Sequence, residues 1–470
     1  MDPKFNTSVN EFHPEDQSIS SSSDLLKSNE PRCDSPRPEN SELEAVYTES
    51  TVCSEEFDRV LLLGTGKKWD ELAAYRESMK NGASMETSKN DDVVDLPSLL
   101  ISCAQAIAAA DDCPNATELL KQIRQRSSPF GDGNQRLAHY FADALEARLA
   151  GIGNDIYKVI SNRKTSAADF LKAYDLYLAS CPFRRIPNYV SSMTIMSKAD
   201  NATRIHIIDF GILYGFQWPA LIQRIAFKEA GPPKLRITGI EFPQPGFRPA
   251  ERIEETGRRL AIYAERFNIL FEYQAIAKKW ETILLEDLML DKNDFLVVNC
   301  LYRCKNLHDE TELEESSKTI VLNLIRKINP DIFIHGIVNG AYSAPSFVTR
   351  FHEVLSYFSA LFDMLGTVVP REIPERLLIE RDIFGREALN VIACEGLERV
   401  ERPETYKQWQ VRNLRAMFTQ IPFEREIMKR SIEAVRSSYH QDFVIDEEDQ
   451  WLLLGWKGRV IYALSCWTPT

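Results

Sequence analysis

The chain has 470 residues, is 44% hydrophobic and carries a net charge of −13. That is enough apolar residue for a full core, and the acidic balance gives no reason to expect nucleic acid as the main partner. No apolar run approaches the roughly 20 residues a membrane span needs. The start, Met-Asp-Pro-Lys-Phe-Asn-Thr-Ser, lacks a basic-then-apolar signal peptide. Nine scattered cysteines argue against a disulfide framework and for a reducing compartment.

Charge is uneven. Residues 1–92 hold 20 acids and 10 bases, so this stretch carries −10 and the remainder only −3. Residues 1–54 are rich in Ser, Pro, Glu and Asn and cannot bury enough apolar surface to offset chain entropy. The expectation is a disordered, acidic N-terminal region over 1–92. One island differs, Glu55-Glu-Phe57-Asp-Arg-Val60-Leu61-Leu62-Leu63, where acids flank a bulky apolar run. It predicts a short helix that docks Phe57, Leu61 and Leu62 on a co-activator, or folds back on its own domain.

Asp95-Leu-Pro97 opens the folded part, with Asp95 as N-cap and Pro97 in the first turn. Leu99, Leu100, Cys103, Ala104 and Ile107 keep helical spacing. Asn115-Ala-Thr-Glu118 reads as a capping box. Leu137, Phe141, Leu145 and Leu149 step by four, and Phe170, Tyr174, Tyr177 and Leu178 form another stripe. Residues 96–180 therefore predict a helical bundle. Core packing accounts for these stripes; a surface for pairing with another protein is the alternative.

After Arg204, strand-like runs alternate with helical ones: Arg204–Phe210, Leu235–Glu241, Leu270–Ala277, Phe295–Cys300, Ile332–Val338 and Ala388–Cys394. Arg248–Phe267 and Ser346–Leu365 read as intervening helices. This alternation predicts an α/β fold with a parallel sheet over 200–470. Trp451 to Trp467, turning at Lys457-Gly458, reads as a C-terminal hairpin anchored by Trp451, Trp456 and Trp467.

The first strand runs into Asp209-Phe-Gly211-Ile-Leu213-Tyr-Gly215. A cofactor loop at this turn needs small residues so that backbone can approach the ligand. Methyltransferases carry glycine at +2, +4 and +6 from the acid; here Leu213 stands at +4. Glu241 ends the second strand, where an acid would hold a ribose, or caps the next loop. Asp209, Gly211, Gly215 and Glu241 are thus candidates for a vestigial cofactor pocket, with Leu213 expected to fill it. No cofactor is expected.

No nucleophile constellation occurs. Cys300, Cys304 and His308 are spaced by four but lack a fourth ligand, so packing is the reading and no metal is expected. His206 and His335 lie inside strands and read as core histidines. The position after the fourth strand, Asn299-Cys-Leu-Tyr302, lacks the prolines of a nitrogen methyltransferase loop, so no catalytic residue is expected. Arg248, Arg252, Arg258, Arg259, Lys278 and Lys279 cluster, as do Arg399, Arg402, Lys407, Arg412 and Arg415. Nearby acids make both clusters read as solvated, paired faces. Arg248, Arg252, Arg259, Lys278 and Lys279 are the candidates for phosphate contact.

These residues resemble the plant GRAS family of transcriptional regulators over about 93–470. Ile205-His-Ile-Ile-Asp209 stands for the VHIID motif, flanked by leucine-rich stretches at Leu99–Leu149 and Asp309–Ile328. Ser346–Phe362, Phe384-Gly-Arg-Glu387 and Asn390–Arg402 are similar to the PFYRE region, and Trp451, Gly455, Trp456 and Trp467 to the SAW motif. Pro243–Pro249 and Phe57–Leu62 are similar to the lily scarecrow-like subgroup. The resemblance implies a methyltransferase-like Rossmann sheet with an α-helical cap, non-catalytic and acting in the nucleus. It implies partners among other GRAS proteins, as homo- or heterodimers, DNA-bound factors such as zinc-finger proteins, and co-activators, with DNA touched directly or through them. Departures are Cys466 in the Ser465-Cys466-Trp467 triplet and Met417, where related sequences tend to have glycine. The acidic DELLA-type motif is absent.

Overall fold

In a computed structural model, the residues described are 66–81, 95–109, 112–161, 167–229, 231–309 and 315–470. The helices are α1 (Gly66–Asn81), α2 (Leu96–Ala108), α3 (Cys113–Arg126), α4 (Gly133–Leu149), α5 (Gly153–Ser161), α6 (Ala167–Ser180), α7 (Arg185–Lys198), α8 (Trp218–Ala226), α9 (Glu251–Arg266), α10 (Ser317–Ile328), α11 (Phe347–Val368), α12 (Pro374–Ile379), α13 (Arg386–Ala393), α14 (Tyr406–Arg415) and α15 (Arg425–Ser438). The strands are β1 (Arg204–Phe210), β2 (Lys234–Glu241), β3 (Phe271–Ala277), β4 (Phe295–Leu301), β5 (Ile332–Val338), β6 (Phe418–Ile421), β7 (Phe443–Glu448), β8 (Trp451–Trp456) and β9 (Arg459–Pro469).

The strands form one sheet in the order β3-β2-β1-β4-β5-β9-β8-β7, with β6 also on β9. β1 to β5 are parallel; β9 lies antiparallel to β5 and extends the sheet as a meander. Alternation along β1 sets the layers. Ile205 and Ile207 point into the larger core shared with the helices, and Ile208 and Phe210 into a second core on the opposite face. The hairpin forms as expected. Trp451, Trp456 and Trp467 are fully buried, and Lys457 and Gly458 turn with φ +46° and +83°. Met417 sits at φ +62°, the left-handed conformation for which glycine has no steric penalty.

Three local expectations are corrected. Ala388–Cys394 is helix α13, not strand: a short apolar run does not distinguish the two, and here Ala388, Leu389, Val391 and Ile392 all face the core. Asn115 is not a cap, because α3 begins at Cys113 with Asp112 as N-cap and Asn115 donating to its carboxylate at 2.8 Å. Residues 66–81, placed in the disordered stretch, form α1, which rests on α6 and α11 through the buried Leu72.

The helical layer draws on both ends of the chain. α4 packs on α11 and α13, which lie more than 200 residues later. The seam holds a buried ion triad: Arg136 donates to Glu380 at 2.8 Å and Arg376 to the same carboxylate at 2.6 Å. All three are at most 1% exposed. Glu380→Ala would strand two buried guanidinium groups, and the expected loss is about 3–5 kcal/mol. Urea denaturation checks it; a loss below about 1 kcal/mol would show that the triad is replaceable.

Candidate functional site

The glycine loop after β1 turns through left-handed conformations and is covered by side chains. Gly211 and Gly215 take φ +96° and +67°, and Leu213 takes +49°. A leucine thus occupies a left-handed position that suits glycine, at a cost on the order of 1–2 kcal/mol. Its carbonyl is held by the Thr256 hydroxyl at 2.8 Å. Gly215 is pressed by Thr256, with 2.9 Å from a Cβ at that position to the threonine methyl.

What fills the space beside Gly211 is Arg303. A Cβ on Gly211 would stand 2.8 Å from the Arg303 Cβ and closer still to its Cγ. The guanidinium continues to Glu241 and donates to Oε1 at 2.8 Å. The same oxygen accepts from the Phe242 amide at 2.9 Å, so Glu241 also caps its own loop. Glu241 is 1% exposed. The acid at the ribose position is therefore spent on Arg303. Beside Gly211 the space is taken by Arg303, one residue past the loop inspected for catalytic prolines. A long cation directly after β4, facing an acid at the end of β2, was the signal available.

Asp209 is similarly engaged. Its oxygens accept from Trp218 Nε1 and Asn299 Nδ2, each at 2.8 Å, and Asn299 meets Gln217 at 3.3 Å. Burial pushes its carboxyl up to about 7, against the pull of these donors. The structure thus brings Asp209, Gly211, Gly215 and Glu241 together at the carboxyl ends of β1 and β2, closed by side chains of the chain itself.

The other candidates are dispersed. Arg248 pairs with Glu251 at 2.7 Å, Arg258 with Glu255 at 2.5 Å, Arg259 with Glu255 at 3.3 Å, and Lys278 with Asp287 at 2.7 Å. Arg252 lies over the Tyr214 ring at 5.9 Å, and Lys279 is exposed. The second basic cluster divides: Arg399 and Arg402 are 2% and 0% exposed and Arg402 binds Asp309 at 3.0 Å, whereas Lys407 is exposed and pairs with Glu448 at 3.0 Å. Cys300 and Cys304 touch at 3.3 Å inside the core, and no group of metal-ligating side chains occurs among the described residues. His206 and His335 are buried, on Thr238 at 2.8 Å and Asn413 at 3.2 Å. Leu100, Cys103, Leu137, Phe141 and Leu145 are buried in the core, which is the packing reading of those stripes. Phe57, Leu61 and Leu62 lie outside the described residues.

Among the described residues no helix is long and apolar enough to cross a membrane. The chain is 55% identical to Scarecrow-like protein 9 of Arabidopsis thaliana over 457 residues, which span 92% of this chain and 63% of that protein. It is 52% identical to Scarecrow-like protein 14 of the same plant, over 91% of this chain and 58% of the relative. It spans less than two thirds of the length of both. The Scarecrow-like transcription factor PAT1 of Arabidopsis thaliana is 30% identical over 79% of this chain and 76% of that protein. Among solved structures, SCL7 of Oryza sativa superposes with a TM-score of 0.67 at 28% identity, over 80% of this chain and 99% of that one. The profile of the GRAS domain family matches residues 96–468, and the chain belongs to that family.

Proposed function

We propose that this protein is a plant transcriptional regulator that acts in the nucleus as a non-catalytic scaffold. It binds DNA-bound factors and related GRAS chains, and its acidic N-terminal region recruits co-activators. The observation that carries the non-catalytic part is the Arg303 side chain lying across Gly211 onto Glu241. The regulatory part is supported by kinship with Scarecrow-like proteins and with a Scarecrow-like transcription factor. The paired state of the basic residues on α9 supports delegation of sequence choice to partners.

Three tests follow from this reading. Titration calorimetry of the full chain with S-adenosylmethionine should give no binding, in the wild type and in Leu213→Gly alike, since Arg303 still covers Gly211. A dissociation constant near 1 μM, about −8 kcal/mol, would restore the enzyme reading.

Residues 1–92 fused to a heterologous DNA-binding domain should activate a reporter. Replacing Phe57 and Leu61 by Ala should abolish this at unchanged expression. Equal activity from the substituted fusion would remove the co-activator contact from the account.

Anisotropy across sequences and salt should show that the purified chain binds naked DNA weakly. Little sequence preference and a steep fall with salt are expected. A zinc-finger partner should confer selectivity. Tight, selective binding by the chain alone near physiological salt would replace the scaffold by a direct DNA reader.

A further inference from the structure

The turn after β4 brings two thiols into contact in the second core. Tyr302 takes φ +68°, a left-handed position that reverses the backbone, and the helical turn Cys304–Asn306 begins two residues later. The Cys300 and Cys304 sulfurs then lie 3.3 Å apart. The two residues are 1% and 4% exposed. Strand register adds a third group. Cys300 is aligned with His335 across β4 and β5, so both side chains leave the same face of the sheet. Asn413 meets His335 Nδ1 at 3.2 Å, and the buried Lys318 holds Glu404 at 2.9 Å.

The pair differs from the other buried cysteines. Burial pushes the thiols of Cys103, Cys181, Cys394 and Cys466 up. Cys304 moves the other way. The hydrogen bond from the Cys300 thiol favours its thiolate most, burial opposes it, and His335 and Lys318 favour it further. Cys300 is driven up, by burial first and then by the bond it donates. A thiolate therefore faces a thiol at contact distance. That is the arrangement of an oxidisable sulfur and the thiol that resolves it.

We propose that Cys300 and Cys304 are a redox pair, closed to an internal disulfide by a peroxide and reopened by a dithiol. The Cys304 thiolate attacks one peroxide oxygen, the O–O bond breaks, and Cys304 becomes a sulfenic acid. The hydroxide released takes the Cys300 proton and leaves as water. The Cys300 thiolate then attacks the Cys304 sulfur, the S–O bond breaks, and the second hydroxide leaves as water with a proton from solvent. Two electrons pass from the two sulfurs to the peroxide. Access fits the place. A peroxide is little larger than water, and a short turn opens locally at lower cost than the strand it follows. Closing the bond discharges the thiolate, so His335 and Lys318 lose an anionic neighbour while Glu404 remains. The pair would respond in this way whether or not the chain acts as a scaffold.

The test is peptide mass spectrometry of the full chain after brief exposure to hydrogen peroxide, with free thiols then blocked by iodoacetamide in denaturant. Trypsin cuts after Lys292, Arg303 and Lys305, so the bond should join Asn293–Arg303 to Cys304–Lys305. The linked pair should form at least about tenfold faster than free thiol is lost at Cys103, Cys181, Cys394 or Cys466, and dithiothreitol should release it. Cys300→Ser should stop at the sulfenic acid, with dimedone labelling Cys304. Cys304→Ser should leave Cys300 unlabelled and free. The wild-type linkage decides if either variant fails to fold. No linked pair, linkage no faster in the folded chain than in urea, or equal dimedone labelling of the remaining cysteine in the two variants would overturn the proposal.

Discussion

The fold depends on pairing charge that has been taken out of water. Between residues 380 and 404 the chain carries Glu380, Glu387, Glu395, Glu401, Arg402 and Glu404, and each pairs with a residue outside this segment. Glu380 holds Arg136 of α4, Glu387 and Glu401 hold Lys305 at 2.6 and 2.8 Å, and Glu395 holds Arg148 of α4 and Arg350 of α11. Arg402 holds Asp309, and Glu404 holds Lys318 of α10 at 2.9 Å and Arg412 at 2.6 Å. Glu395 is half exposed, but for the buried members an unpaired charge would cost several kcal/mol each. Together they permit one placement of this segment, across the seam between helical layer and sheet. Hydrophobic burial supplies the drive to collapse; the ion pairs select which helix faces which strand. This is a role for buried charge in specificity rather than in net stability.

The same rule accounts for the closed cofactor loop. An acid left buried at the end of β2 needs a cation, and Arg303 supplies it by crossing the bare backbone of Gly211. The pairing that stabilises Glu241 is what removes the opening. Gly211 and Gly215 then remain for a different reason. Their left-handed conformations and the close approach of Arg303 and Thr256 require glycine with or without a ligand. A glycine pattern of this kind reports crowding as readily as it reports a cofactor.

Much of this was legible in sequence because period and turn chemistry are local. The five parallel strands, the tryptophan hairpin and a helix over Ser346–Leu365 all follow from residue spacing. Ala388–Cys394 was not legible. Its fate as a helix rests on tertiary contacts, among them Asn390, which accepts from the Glu401 amide and donates to the Glu398 carbonyl. Composition also concealed Arg399 and Arg402: a run with alternating charges reads as a wet surface, and only long-range partners reveal it as core. The site was half legible. Asp209 and Glu241 were found because they end strands, whereas Arg303 acts through a residue 62 positions away.

Arg184 and Arg303 show two ways of compensating a cation near the carboxyl ends of the strands. Both are cations at the carboxyl ends of the parallel strands, and both lie against aromatic rings, Arg303 at 5.7 Å from Phe242 and Arg184 at 4.3 Å from Tyr302. The difference is the anion. Glu241 closes the electrostatic account of Arg303 inside the protein, so a ligand there would have to displace an existing ion pair. Arg184 has aromatic faces that solvate a guanidinium in part, worth on the order of 1–2 kcal/mol. Arg303 is thus held by an ion pair, and Arg184 by ring faces.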